Sequence, residues 1–153
     1  MTTWRLEFVG RDGTRGSVEL DVPEPAGPAD RARYEARLSG PDLGDGLVVV
    51  RDDDVEPPRA NLVARRLLEI RADGLWAELL CETPGEHWGF GLEAFGLRFA
   101  DEEEAATSDV GERLAVGLDL EWETPDVVHG ELLVERRRVP FDGTGTFTER
   151  TAT

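Results

Sequence analysis

The sequence predicts an all-β protein, an antiparallel sheet closed into a barrel of about eight to ten strands. Three observations predict it. Apolar residues recur with period two along nearly the whole chain. Turn residues interrupt that pattern at short intervals and leave no room for crossover helices, so successive strands run antiparallel. A meander this long exposes its edges unless it closes, and a barrel removes them best. A two-sheet sandwich is the alternative arrangement of the same strands.

Each element follows from that pattern. Trp4, Leu6 and Phe8 alternate with Arg5 and Glu7, the turn Arg11-Asp12-Gly13 follows, and Val18, Leu20 and Val22 alternate with Glu19 and Asp21: an opening hairpin. Residues 23–30 form a Pro- and Ala-rich loop. Tyr34, Ala36 and Leu38 make the next strand, ended by Gly40-Pro41. Leu47 to Val50 is continuously apolar, as in a strand buried on both faces, and Asp52-Asp53-Asp54 and Pro57-Pro58 break it. Residues 59–66 allow a short helix or a loop, with Arg65-Arg66 on a solvated face.

Three strands follow over Leu68–Phe99, joined by Asp73-Gly74 and Thr83-Pro84-Gly85. The run Asp101-Glu102-Glu103-Glu104-Ala105-Ala106 reads as an exposed loop or helical turn. Leu114 to Trp122 and Val128 to Val134 alternate again, and Val139 and Phe141 begin a last strand. Residues Gly143–Thr153 are expected to fray. The whole chain, 1–153, is read as one domain.

Composition excludes several classes of function. The net charge is −16, which argues against a nucleic-acid partner or an anionic membrane bound through a basic surface. All 17 basic residues are Arg, so no Schiff-base lysine, phosphate-loop lysine or Ser–Lys dyad exists. Cys81 is the only cysteine, so neither an intrachain disulfide nor a cysteine zinc site is expected. Met1-Thr2-Thr3-Trp4-Arg5 runs straight into a strand, with no signal peptide and no long apolar run, so a cytoplasmic protein is expected.

The residues that carry chemistry cluster between Trp76 and Trp122. Glu93 shares its strand with Phe90, Phe95, Leu97 and Phe99. Desolvation there raises a carboxyl pKa and suits it to general acid or base work; the alternative is that it faces water or pairs with Arg98. His87 begins its strand near a barrel mouth. Glu78 and Glu82 share a face with Trp76 and Leu80, and the cleaner patterning puts Leu75, Ala77, Leu79 and Cys81 in the core with Glu78 outside. The candidate catalytic set is therefore Glu93, His87 and Glu82. The candidate ligand-binding set is Trp76, Trp88, Phe90, Phe95 and Trp122. Two histidines without a characteristic spacing give no metal site, although His87, His129 and a carboxylate are the residues from which one could be built. His129 is also placed to pair with Glu131 across the sheet. No cofactor fingerprint is present.

Asp73-Gly74-Leu75-Trp76-Ala77-Glu78, Glu86-His87-Trp88, Gly91-Leu92-Glu93-Ala94-Phe95-Gly96, Leu118-Asp119-Leu120-Glu121-Trp122-Glu123, His129-Gly130-Glu131 and Phe141-Asp142-Gly143-Thr144-Gly145 together resemble the N-terminal lipocalin-like domain of hydroxyneurosporene synthase (carotenoid 1,2-hydratase)-like actinobacterial proteins. The resemblance implies a lipocalin-like or calycin-like barrel. Many members of that group carry two barrels in tandem, so it also implies a single barrel or a first half, and a homodimer in which a second copy stands in for the missing half.

Two functions from different classes stay open. One is binding of a small apolar metabolite, polyketide- or terpenoid-like, in the barrel. The other is cofactor-free acid–base chemistry on such a molecule, of the hydratase, cyclase or isomerase type. A structural or interaction domain filled by its own side chains is the third reading.

Overall fold

The computed structural model describes residues 1–23, 27, 29–58 and 67–152. Residues 59–66, for which the sequence allows a short helix or a loop, lie outside them, as do 24–26 and 28 in the Pro-rich loop.

Among the described residues the chain forms ten strands and one short helix. The strands are β1 (Thr2–Gly10), β2 (Arg15–Val22), β3 (Ala32–Ser39), β4 (Leu47–Val55), β5 (Leu67–Ala72), β6 (Leu75–Thr83), β7 (His87–Phe99), β8 (Glu112–Glu123), β9 (Val127–Val134) and β10 (Arg137–Thr151). The helix, α1, spans Glu102–Thr107. All pairings are antiparallel, in the order β4-β3-β2-β1-β10-β9-β8-β7-β6-β5. β4 also pairs with the end of β7, through Leu47–Phe99, Val48–Arg98 and Val49–Leu97. That contact closes eight strands into a ring that is barrel-like but not evenly disposed round an axis. The β5–β6 hairpin branches from the first part of β7.

Alternation sets the two sides of the sheet. Trp4, Leu6 and Phe8 of β1, Leu20 of β2, Tyr34 of β3, Leu79 of β6, Trp88 and Phe90 of β7, Leu120 and Trp122 of β8 and Phe141 of β10 all face one buried cluster. The continuous run in β4 divides between two. Val48 and Val50 point into the ring, and Leu47 and Val49 pack outside it with Phe99 and Ala105. Strand β4 is thus apolar on both faces because α1 covers its outer one. Asp101 caps α1 by accepting from the Glu104 N–H at 2.9 Å, the preferred N-cap chemistry.

One expectation is corrected here. Gly143–Thr151 does not fray. It is the second half of β10 and pairs with β1 from Thr2–Thr151 to Gly10–Gly143. Phe147 lies in the ring with its centroid 4.8 Å from Trp88 and 5.5 Å from both Phe90 and Trp122. The glycines that suggested a loose tail serve close approach. A Cβ on Gly145 would stand 2.6 Å from Val128 Cγ2 and 2.7 Å from the Glu7 carbonyl oxygen, and the Gly145 carbonyl accepts the Trp122 indole N–H at 3.2 Å.

Candidate functional site

The residues singled out in the sequence fall on opposite sides of the sheet. Trp88, Phe90 and Trp122 lie inside, buried around Phe147. Trp76, Glu82, His87, Glu93 and Phe95 lie outside. Strand alternation forces this split: His87, Glu93 and Phe95 are separated from Trp88 and Phe90 by odd numbers of residues.

Glu93 is exposed, so the desolvation on which its acid–base role rests is absent. It does not pair with Arg98 either, whose guanidinium donates to the carbonyls of Asp45 and Leu43 at 2.6 and 3.0 Å. Glu82 is also exposed. Phe95 is 54% exposed, with the Arg113 guanidinium 4.2 Å above its ring, and so lines no interior. Trp76 is half-buried and lies over Gly91, where a Cβ would meet its indole at 3.3 Å. Around that glycine runs an outer groove of about 360 Å³ whose lining includes Trp76, Glu78, Glu82, Glu93, Asp119 and Glu121. Among the described residues, the side chains of Glu78, Glu82, Glu93 and Asp119 have no hydrogen-bond or salt-bridge partner.

His87 does meet carboxylates. Its Nε2 is 3.0 Å from Glu121 Oε1 and 3.8 Å from Glu123 Oε1. His129 Nε2 approaches the same pair at 3.8 and 3.5 Å, and not Glu131, which accepts from Arg138. Both histidines of the chain therefore flank two glutamates on β8. Among the described residues no group of three or more His, Cys, Asp or Glu side chains is placed to hold a metal ion.

The interior opens at one end only modestly. Where β1 begins and β10 ends, a cavity of about 180 Å³ is walled by Trp4, Leu68, Cys81, Trp88 and Glu149, with Pro84 and Gly85 of the β6–β7 turn. Each strand delivers an inward position there: β1 Trp4, β5 Leu68, β6 Cys81 and β7 Trp88, all buried, and β10 Glu149 at the exposed rim. Cys81 is a buried wall residue here, where its side chain acts as a small apolar group.

Trp4 is 3% exposed, and among the described residues its Nε1 has no hydrogen-bond partner. Leaving such a donor unsatisfied costs about 1–3 kcal/mol. The Tyr34 hydroxyl is likewise buried without a partner among the described residues, and burial pushes its pKa above the ordinary tyrosine value. Tyr34 lies on the same cross-strand row as Trp4, through Leu20.

Of the cavity's wall, only Trp88 belongs to the ligand-binding set that the sequence suggests. Trp4 and Leu68 carry the signal of inward alternation, as core residues do. Glu149 lies in the segment expected to fray, yet it continues the period-two pattern from Phe141 through Phe147.

No helix of the described residues is long and apolar enough to cross a membrane. Compared with known proteins, the chain matches no family model, no curated protein and no solved structure.

Proposed function

We propose that the eight-strand ring is a lipocalin-like barrel that binds a small apolar metabolite at the end where β1 begins, between the ring and the β5–β6 hairpin. The observation that carries this reading is the cavity between Trp4, Leu68, Cys81 and Trp88, a recess walled by large side chains with one carboxylate at its rim. Ligand sites have that character, apolar walls with few polar groups. Its size limits the occupant. A dry cavity of about 150 Å³ holds benzene, so about 180 Å³ suits one ring with a short substituent.

Binding is favoured over catalysis because the acid–base residues stand elsewhere. Glu93, Glu82 and His87 are on the outer face, and Glu149 is the one ionisable carboxyl in the cavity wall.

The test is thermal unfolding of the full chain with and without ethylbenzene. At a tenfold excess over Kd the ligand adds about 1.4 kcal/mol of stability, read as a rise in Tm. Leu68→Trp fills the recess and abolishes the rise. An equal rise in the filled variant, or no rise in the wild type, overturns the reading.

A further inference from the structure

The sheet carries a second concavity on the side away from the buried cluster, across β3, β2, β1 and β10. It is a groove of about 540 Å³, a volume typical of small-molecule clefts. Two adjacent cross-strand rows form it. One runs Ser39, Arg15, Val9 and Thr144, and the next runs Arg37, Ser17, Glu7 and Thr146. The depression exists because short hydroxyl side chains stand between long charged ones. Glu102 of α1 and Asp126 of the β8–β9 turn complete the lining.

Ser17 lies at the floor, between Glu7 and Arg37, and is only 8% exposed. Its hydroxyl makes no hydrogen bond among the described residues. Thr14 Oγ1 and the Tyr34 hydroxyl are also without partners, but those two are sealed from water. Ser17 Oγ is not, and its residue lines the groove. A mostly buried hydroxyl that is open on one side only gains a hydrogen bond when an occupant of the groove supplies it.

The charge of the lining selects that occupant. Three guanidiniums, Arg5, Arg15 and Arg37, alternate with three carboxylates, Glu7, Glu102 and Asp126. Arg5 is already paired with Glu7 and Glu19, and Arg37 with Glu35 and Glu102. A charged ligand meets like charge beside every opposite one, and an anion also meets a chain of net charge −16. A neutral hydroxyl meets neither obstacle. It donates to a carboxylate and accepts from a guanidinium at once, and hydrogen bonds to ionised groups are the stronger kind.

We infer that this groove binds a neutral polyhydroxylated ring, a monosaccharide unit or a cyclitol, with one ligand hydroxyl bonded to Ser17. Arg15, which has no carboxylate partner among the described residues, donates to a second ligand oxygen. Ser39, Thr144 and Thr146 offer further hydroxyls, and the 47% exposed Val9 lies under a C–H face of the ring. The site is independent of the recess between Trp4 and Trp88, so either stands if the other fails.

The experiment follows amide ¹H–¹⁵N spectra of the full chain during titration with methyl β-D-glucopyranoside, methyl α-D-mannopyranoside and myo-inositol. Sodium acetate and glycylglycine serve as anionic and zwitterionic probes. At least one polyol is expected to give saturable shifts at Arg15, Ser17 and Thr144, and the charged probes none. Ser17→Ala removes a hydroxyl that the described chain does not use, and is expected to weaken binding about 3- to 10-fold. Arg15→Ala, an exposed position, gives a similar loss and keeps the inference testable if Ser17→Ala folds poorly. Arg11→Ala, outside the groove, leaves the affinity unchanged. No saturable shift with any polyol overturns the inference. So do unchanged affinity in the folded Ser17 or Arg15 variant, and saturable shifts at these residues with acetate or glycylglycine.

Discussion

Strands β7 and β8 present two unlike surfaces on their two sides. Inward, Trp88 faces Trp122, Phe90 faces Leu120 and Leu92 faces Leu118, a wall of large apolar side chains sealed by Phe147. Outward, His87 faces Glu123, Gly89 faces Glu121, Gly91 faces Asp119 and Glu93 faces Gly117, a shallow acidic trough in contact with water. The difference assigns roles. The side with carboxylates and histidines is open to water, and among the described residues the recess on the inner side has one carboxylate in its wall, at its rim. Binding inside and solvation outside follow from the same period of two.

The largest test of the contrast pairs two phenylalanines. Phe147→Ala opens the interior beneath Trp88, Phe90 and Trp122 and is expected to cost about 3 kcal/mol or more. Phe95→Ala removes an exposed ring and one cation–π contact, for at most about 1 kcal/mol. Urea denaturation of the two variants measures both, and similar losses would erase the distinction between the faces.

The outer surface is itself divided. On β1–β3 Glu19 stands opposite Glu35, but arginines neutralise both. Arg5 pairs with Glu7 and Glu19, Arg33 with Asp21 and Glu35, and Arg37 with Glu35 and Glu102. The hydrogen bond that Arg37 donates to Glu35 leads the interactions that hold the guanidinium above its ordinary pKa. On β5–β9 like charges face each other, Glu69 opposite Glu78 and Asp119 opposite Glu131, which is destabilising. Arg37→Ala should therefore lose about 1 kcal/mol. Glu78→Gln should gain a few tenths, about 0.2–1 kcal/mol, with the gain shrinking as salt screens the repulsion. Chemical denaturation at low and high ionic strength separates the two signs. A loss for Glu78→Gln at low salt would mean that the carboxylate has a favourable role on that face.

How much of this was legible in the sequence depends on what each feature is made of. Period two points to about eight to ten strands, where the structure has ten, and to the correct inner face for β6, with Leu75, Ala77, Leu79 and Cys81 in and Glu78 out. The apolar run in β4 announced its double burial. The last half of β10 was hidden because glycine and threonine usually mark loops. Here Gly145 is required by its closeness to Val128 and Glu7, a fact of strand proximity that local composition does not carry. Five of the site residues, Trp76, Glu82, His87, Glu93 and Phe95, lie outside for a related reason. Aromatics and carboxylates close in sequence look like one pocket, but neighbours on a strand point to opposite sides. Trp4 and Glu149 meet only through the pairing of the first strand with the last, and Leu68 joins them only through the fold of the sheet.

The smallest effect lies in the first hairpin turn. The Asp12 side chain accepts from the Thr14 backbone N–H at 2.9 Å, and that bond lowers its pKa. A carboxyl whose folded pKa is depressed stabilises above its unfolded value and loses that contribution as pH falls through the folded one. Asp12→Asn is thus expected to be slightly less stable than wild type near neutrality, with the gap closing below about pH 4. Unfolding curves at several pH values give the difference, and a gap that widens on acidification would contradict the assignment.

The central claim is that the ring ends in an apolar recess that a small molecule enters. Crystals of the full chain pressurised with xenon, which seeks dry apolar cavities, test it without reference to any particular ligand. The account predicts a xenon site between Trp4, Leu68 and Trp88. A recess that stays empty of xenon, or holds ordered water in its place, would contradict it.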